Sequence, residues 1–350
     1  MSPSESNGLA LSRAYYDEIV RPLLTERFGD LPHSAGRLGA GSDVLGLDDE
    51  TSRDHDWGLR LSVFVPEAAV DAVDAELERA LPAAFRSHPT RFAFTGSHDV
   101  RHHVEVGTLS SFLDARLDFD PRNGPTVTEW LSLSGQAALE VTAGPVFADE
   151  TGELTRAREA LGWYPSDVWR YVVACDWARL AQELPLMARA AQVGDETGSR
   201  VIAARLAQVA MHLTFMLERR WAPYAKWFGT VFGTLAPASS VGAALDRTLR
   251  ADAWQERQQG LAEALEALLS VQNAAGLTAT DRATVPFWNR DAVRPNPAIV
   301  AELLDGILDP DVRSLPLGRG SIEQRTDNVD VLVDPRARRA AVAAQRDEVR

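Results

Sequence analysis

A single cysteine, Cys175, stands in 350 residues. It can close no intramolecular disulfide and build no multi-cysteine zinc site. A stapled secreted framework and a zinc ribbon are therefore excluded, and a reducing cytoplasm is the expected compartment. Glycine (24) and proline (19) are too few for a collagen-like or low-complexity chain. No run approaches eighteen uninterrupted apolar residues, and Met1 to Ala10 lacks the basic and apolar regions of a signal peptide, so neither a membrane span nor a leader is expected. Positive charge is short as well: 36 Lys+Arg against 50 Asp+Glu leave a net charge of −14. Such a field disfavours nucleic acid and anionic membrane as partners unless basic residues gather locally, as a stripe of Arg200, Arg205, Arg219 and Arg220 would. What remains is an ordinary globular composition, 45% hydrophobic and 25% charged, long enough for roughly two domains.

Apolar residues at Leu11, Tyr15, Ile19, Leu23 and Phe28 recur at helical spacing and predict one amphipathic helix. His33 to Gly46 carries Gly36, Gly39, Gly41 and Gly46 and predicts a short strand and a tight turn. Leu59, Leu61, Val63 and Val65 alternate as in a strand over Asp56 to Val65, which Pro66 ends. Helical period returns from Glu67 to Ala84, and short strands are expected near Arg91–Thr95, His103–Leu109 and Val146–Ala148. After Thr155 the character changes to long Ala/Leu-rich helical segments, Asp167–Ala191, Ser199–Arg220 and Ala251–Asn273, broken at Gly194, at Pro237 and over the Pro-rich Pro286–Pro297. Val329 to Val333 reads as a late strand, followed by a charged helical run. An α+β domain followed by a helical bundle is the expected fold class.

Chemistry concentrates between Gly41 and Gly58. Asp54 and Asp56 stand two apart at the mouth of a strand, where period-2 geometry aims both carboxylates to one side. Two unpaired carboxylates repel unless a cation sits between them, and hard oxygen ligands suit magnesium. A solvated pair in an acidic loop, with Asp48, Asp49 and Glu50 nearby, would carry the same two residues. Upstream, Gly41-Ser42 lies on a glycine-rich turn whose N–H groups and hydroxyl suit phosphate oxygens. The glycines here lack the lysine of a P-loop and the third glycine of a dinucleotide fingerprint. His98, His102 and His103 lack the carboxylate offset of a zinc helix and read as surface histidines.

Gly41-Ser42 followed by Asp54-His55-Asp56 resembles the Gly-Ser…Asp-x-Asp signature of the polymerase-beta-type nucleotidyltransferase superfamily. With Tyr164-Pro165-x-Asp167-Val168-Trp169 and Ala222-Pro223-Tyr224-Ala225-Lys226-Trp227, the chain is similar to an uncharacterised domain-of-unknown-function branch of it, a small nucleotidyltransferase domain followed by helices. The resemblance implies a mixed-sheet nucleotidyltransferase domain over 1–155, a helical bundle over 156–314 and a C-terminal segment, 315–350, packing back on the cleft. It also implies a third carboxylate on a neighbouring strand. Glu105 is the best candidate, because Val104 and Val106 would face the core; the family more often has Asp there, and Asp99 or Asp114 would serve in another register.

On this reading Asp54, Asp56 and Glu105 hold magnesium and do the catalysis, while Gly41 and Ser42 fix the phosphates of a nucleoside triphosphate. Lys226, in a chain with few lysines, adds positive charge, and Tyr224 beside it offers a ring. Gln324, Asp327 and Asp330 are candidate substrate-side residues in a polar tail segment, and Glu140 or Asp149 a candidate general base. The implied activity moves a nucleoside monophosphate to a hydroxyl of a small-molecule acceptor, and a homodimer is compatible with relatives that share active sites. The competing reading is a non-catalytic nucleotide-binding or antitoxin-like module of the same fold.

Overall fold

In a computed structural model, residues 8–51, 57–95 and 97–343 are described. The chain divides into two compact units, Met1–Pro125 with Ala137–Gly162 and Thr126–Gln136 with Trp163–Arg350. The units divide after Pro125, Gln136 and Gly162, where the sequence reading placed a single boundary at 155/156. The 315–350 segment belongs to the second unit.

The first unit is built on one sheet. Its strands are β1 (Ser34–Gly36), β2 (Arg60–Phe64), β5 (Arg91–Phe92), β6 (Arg101–Gly107) and β7 (Val146–Asp149); a separate two-stranded ribbon is formed by β3 (Ala84–Phe85) and β4 (His88–Pro89). The sheet order is β5-β6-β2-β1-β7. β2 and β6 run parallel with Ser62 opposite Glu105, and the helix Val70–Ala80 lies in the connection between them. β1 pairs antiparallel with β2 and with β7. The expected alternation is met: Leu59, Leu61, Val63 and Val65 are all buried, in one core with Val104, Leu11, Tyr15, Val73 and Leu77. Full burial of such a side chain stabilises by about 1.5–3 kcal/mol, so this face fixes the register of β2: a one-residue slip would turn all four outward.

The first helix is continuous from Gly8 to Phe28 but passes through a π-helical turn at Tyr16–Val20. Pro22 follows that turn, and with no N–H it cannot close the ordinary bond to the residue four back, a common setting for a wider turn.

The opposite sheet face carries Arg60, Ser62, Phe64, His103 and Glu105. Here the helix Leu109–Leu117 covers Phe64, whose ring lies 4.8 Å from that of Phe112. A Thr108/Ser111 capping box starts this helix directly after β6, and so returns Arg116 toward Glu105.

The second unit is mainly helical. Ser166–Gln192 packs along Glu196–Leu217, and Ala238–Arg250 along Trp254–Ala274. Buried indole N–H groups cross-link these helices, Trp169 donating to the Met216 carbonyl (2.8 Å) and Trp177 to Gln272 (2.6 Å). Glu196–Leu217 is the one described helix long and apolar enough to cross a membrane by composition, and 61% of its apolar window is buried inside the protein.

Two features depart from the sequence reading. The Pro-rich break holds a small hairpin, β8 (Thr284–Pro286) with β9 (Val293–Pro295). Val329–Val333, expected as a strand, is a helical turn. The Asn328 side chain accepts the Asp330 N–H at 3.0 Å and nucleates that turn, a local alternative that an apolar-acidic alternation does not reveal.

Candidate functional site

The residues following β1 form a loop closed on itself. Arg37, only 2% exposed, grips Asp43 with two hydrogen bonds, Nε to Oδ2 at 2.7 Å and Nη2 to Oδ1 at 2.9 Å. It also donates to the carbonyls of Leu38 (2.6 Å) and Ala40 (3.0 Å), so one guanidinium organises the whole turn. Gly41 sits at φ +143°, and a Cβ there would lie 2.2 Å from the Asp43 carboxylate and 2.6 Å from the Arg37 guanidinium; only glycine fits. On the other side, a Cβ on Gly144 would lie 1.8 Å from the Arg37 carbonyl, so the loop rests directly on neighbouring backbone. The Ser42 carbonyl accepts the Leu47 N–H at 2.9 Å. The glycine-rich turn is thus preformed.

Beside this loop the open sheet face becomes a cavity of about 590 Å³, lined by Arg37, Ala40, Arg60, Ser62, His103, Glu105 and Arg116 among others. That volume falls within the usual range for small-ligand sites, about 300–1,000 Å³. Glu105 projects here, as the alternation predicted, with Val104 on the core side. Its carboxylate accepts from the Ser62 hydroxyl (3.1 Å) and from Arg116 (3.2 Å to each oxygen).

The His103 ring is sandwiched between Phe92 and Phe94, at 4.0 and 3.9 Å between centroids, and donates from Nε2 to the Phe92 carbonyl. Burial holds this imidazole below its ordinary pKa, so it is neutral at pH 7. His102 is buried on the other face, lowered by burial in the same way, and its Nε2 meets the Asp74 carbonyl. His98 is exposed. Among the described residues no three His, Cys, Asp or Glu side chains are placed to hold a metal ion.

Of the other sequence-predicted residues, Asp54 and Asp56 lie outside the described residues. Gly41, Ser42 and Glu105 belong to the first unit; Tyr224, Lys226, Gln324, Asp327 and Asp330 belong to the second. Lys226, the only lysine in the chain, is exposed, with Nζ 4.9 Å from the Trp227 ring. Tyr224 is exposed at the start of the helix Ala225–Phe232, where its N–H donates to Gln136. Asp327 and Asp330 are exposed, whereas the Gln324 amide is wholly engaged inside the unit. It donates to Asp176 (2.6 Å) and the Val172 carbonyl (2.9 Å) and accepts the Ser321 N–H (2.8 Å). Asp149 accepts from Ser34 and from both the hydroxyl and N–H of Thr155. Burial alone would raise its carboxyl, but those donors outweigh it and hold the pKa low, which makes Asp149 a weak proton acceptor. The Tyr164–Trp169 motif is structural in the same sense: Asp167 accepts the N–H groups of Leu308 and Asp309, and Arg219 lies over the Trp169 ring at 4.2 Å.

Sequence reasoning missed two groups. Arg116 and Arg60 flank the loop and gave no signal, because an arginine in an amphipathic segment reads as a solvated face. The second unit hides a buried polar cluster: His212 Nδ1 donates to Asp176 at 2.8 Å, its Nε2 is buried without a hydrogen-bond partner among the described residues, and Glu323 accepts the Gly135 N–H at 3.0 Å. Burial would lower the His212 pKa, but Asp176 outweighs it and holds it above the ordinary 6.5. Burial raises the Glu323 carboxyl above 4.5, with His212 opposing. Both groups bind protons more tightly folded than unfolded. Their stabilisation is therefore complete at acid pH and is lost as pH rises, above about 4.5 for Glu323 and above about 6.5 for His212, through the folded values. Subtracting the melting curve of His212→Gln from that of the native chain is expected to leave a difference that shrinks as pH rises above the ordinary imidazole value of 6.5; a difference that grows as pH rises contradicts the assignment.

Residues 130–228 match a domain of unknown function, DUF4037. The matched stretch, under a third of the chain, contains both second-unit motifs singled out above. No curated protein matches. Among solved structures the chain is similar to a nucleotidyltransferase-like protein from Exiguobacterium sibiricum 255-15, at 12% identity over 76% of each chain and a TM-score of 0.34.

Proposed function

We propose that this chain is a nucleotidyltransferase that moves a nucleoside monophosphate from a triphosphate to a hydroxyl of a small-molecule acceptor. The observation that carries the reading is the cavity on the open face of β2 and β6, into which Glu105 projects and which borders the preformed loop leading to Gly41-Ser42. Asp54 and Asp56 enter this reading from the sequence resemblance alone, as companions of Glu105.

The resemblance implies magnesium. Glu105 fits one ligand position, since its carboxylate is half exposed on the cavity, and a donor set of three hard carboxylates suits that ion. When bound, the ion supplies neutralising charge on the phosphate oxygens. Gly41 N–H and the Ser42 hydroxyl would hold the outer phosphates, and the closed Arg37–Asp43 turn keeps both in place before nucleotide arrives. In the transfer itself an acceptor oxygen bonds to the α-phosphorus, the bond to the β-phosphate bridging oxygen breaks, pyrophosphate leaves, and the hydroxyl proton passes to a carboxylate.

One observation favours the competing reading, a nucleotide-binding module without turnover: both Glu105 oxygens are engaged by Arg116. Incubating the protein with magnesium, each labelled nucleoside triphosphate and a mixture of hydroxyl acceptors separates the two. Transfer of label with release of pyrophosphate is expected. Magnesium-dependent binding with no pyrophosphate from any triphosphate would establish the module instead.

A further inference from the structure

The first unit contains no lysine, so its side chains that stay cationic at every working pH are arginines. Four arginines line the cavity, and their engagements differ. Arg37 is spent on Asp43 and on two carbonyls of its own loop. Arg101 is turned to Asp74, at 3.1 and 3.2 Å. Arg60 and Arg116 stand against the loop itself, Arg116 while also paired with Glu105 at 3.2 Å and Glu140 at 3.6 Å. Arg60 donates to the Ala40 carbonyl at 3.2 Å, with its guanidinium 5.0 Å from the Phe94 ring centre. Arg116 packs 3.7 Å above the Phe112 ring, and a Cβ on Gly39 would come within 2.8 Å of its Nη2, so the guanidinium lies directly on the glycine turn. Each guanidinium packs on an aromatic ring and touches the loop, contacts that restrict its freedom before an anion binds and so limit the entropy lost on binding.

We propose that Arg60 and Arg116 form a two-armed clamp for the polyphosphate chain of the nucleotide, one arm on each side of the Gly39–Gly41 turn. The inference rests on the nucleotide reading above. It assigns to the first unit alone the phosphate charge that the sequence had placed on Lys226. Arg116 also links the clamp to Glu105, its partner at 3.2 Å, so the same side chain meets both the phosphates and the carboxylate expected at the reacting end. A polyphosphate competes for Arg116 against Glu105 and Glu140, as a more highly charged bidentate acceptor than either carboxylate.

Calorimetric titration with inorganic tripolyphosphate, without metal or acceptor, tests the clamp on the full chain. Arg60→Gln and Arg116→Gln are each expected to weaken binding by about tenfold to a hundredfold, the usual range for a charge-assisted contact. Arg101→Gln, in the same cavity but away from the loop, is expected to stay within about twofold, and Arg116→Lys to fall between native and Gln because it keeps charge and loses the fork. Melting temperatures check that each variant is folded, and should Arg116→Gln fail to fold, Arg116→Lys and Arg60→Gln decide the matter. Unchanged affinity in folded Arg60→Gln and Arg116→Lys, or no tripolyphosphate binding to the native chain, overturns the proposal. Loss of binding in the variants while the native chain transfers no nucleotide would keep the clamp and remove the transferase reading; intact binding in the variants beside measured transfer would do the reverse.

Discussion

Replacing Asp43 with Asn is expected to cost the first unit about 3–5 kcal/mol, the range for removing one partner of a buried ion pair. The size follows from what is left behind. Arg37 is 2% exposed and Asp43 6% exposed, so the guanidinium cannot find water when its carboxylate is neutralised, and an amide N–H₂ would face its donors. The two carbonyls Arg37 also serves, Leu38 and Ala40, would lose a positioned donor if the side chain moved. Urea unfolding followed by a first-unit probe such as Trp57 fluorescence reads the loss as a lower midpoint at unchanged slope. A loss under about 1 kcal/mol would mean the pair is solvated and the loop is not preformed. Arg37→Met with Asp43→Leu should recover part of the loss, because removing both charges removes the desolvation cost with them.

The second large effect concerns residues whose importance rests on sequence alone. If Asp54 and Asp56 hold the ion that neutralises the phosphates, Asn at either position removes several kcal/mol of charge stabilisation from the transition state, and about 4 kcal/mol corresponds to a thousandfold in rate. Stability should hardly change, since relieving repulsion between two neighbouring carboxylates offsets any lost hydrogen bonding. A large loss of rate with native melting behaviour is the signature that separates a catalytic pair from a structural one.

The frame of the first unit was readable because one-sided burial leaves a strong pattern. Leu59, Leu61, Val63 and Val65 could only be a half-buried strand, and Val104 beside Glu105 gave the next strand and the outward carboxylate. The partners of those residues were not readable. Glu105 meets Arg116 because the helix starting at Leu109 folds back over the sheet, and Arg37 meets Asp43 because a glycine at positive φ reverses the chain between them; neither distance is encoded in local periodicity. Gln324 shows the opposite limit. Within a polar run whose Asp327 and Asp330 are exposed, its amide is the internal hydrogen-bond partner of Asp176, since a buried carboxylate needs donors wherever the chain can bring them. Val329–Val333 failed as a strand for a local reason, the Asn328 cap that starts a helical turn.

The most direct test of the account is the rate of pyrophosphate release from a magnesium–nucleoside triphosphate by the native chain and by Asp54→Asn and Asp56→Asn at matched protein concentration. The account predicts release that requires magnesium and falls by about a thousandfold in either variant while both remain folded. Equal release by the native chain and the folded variants would contradict it.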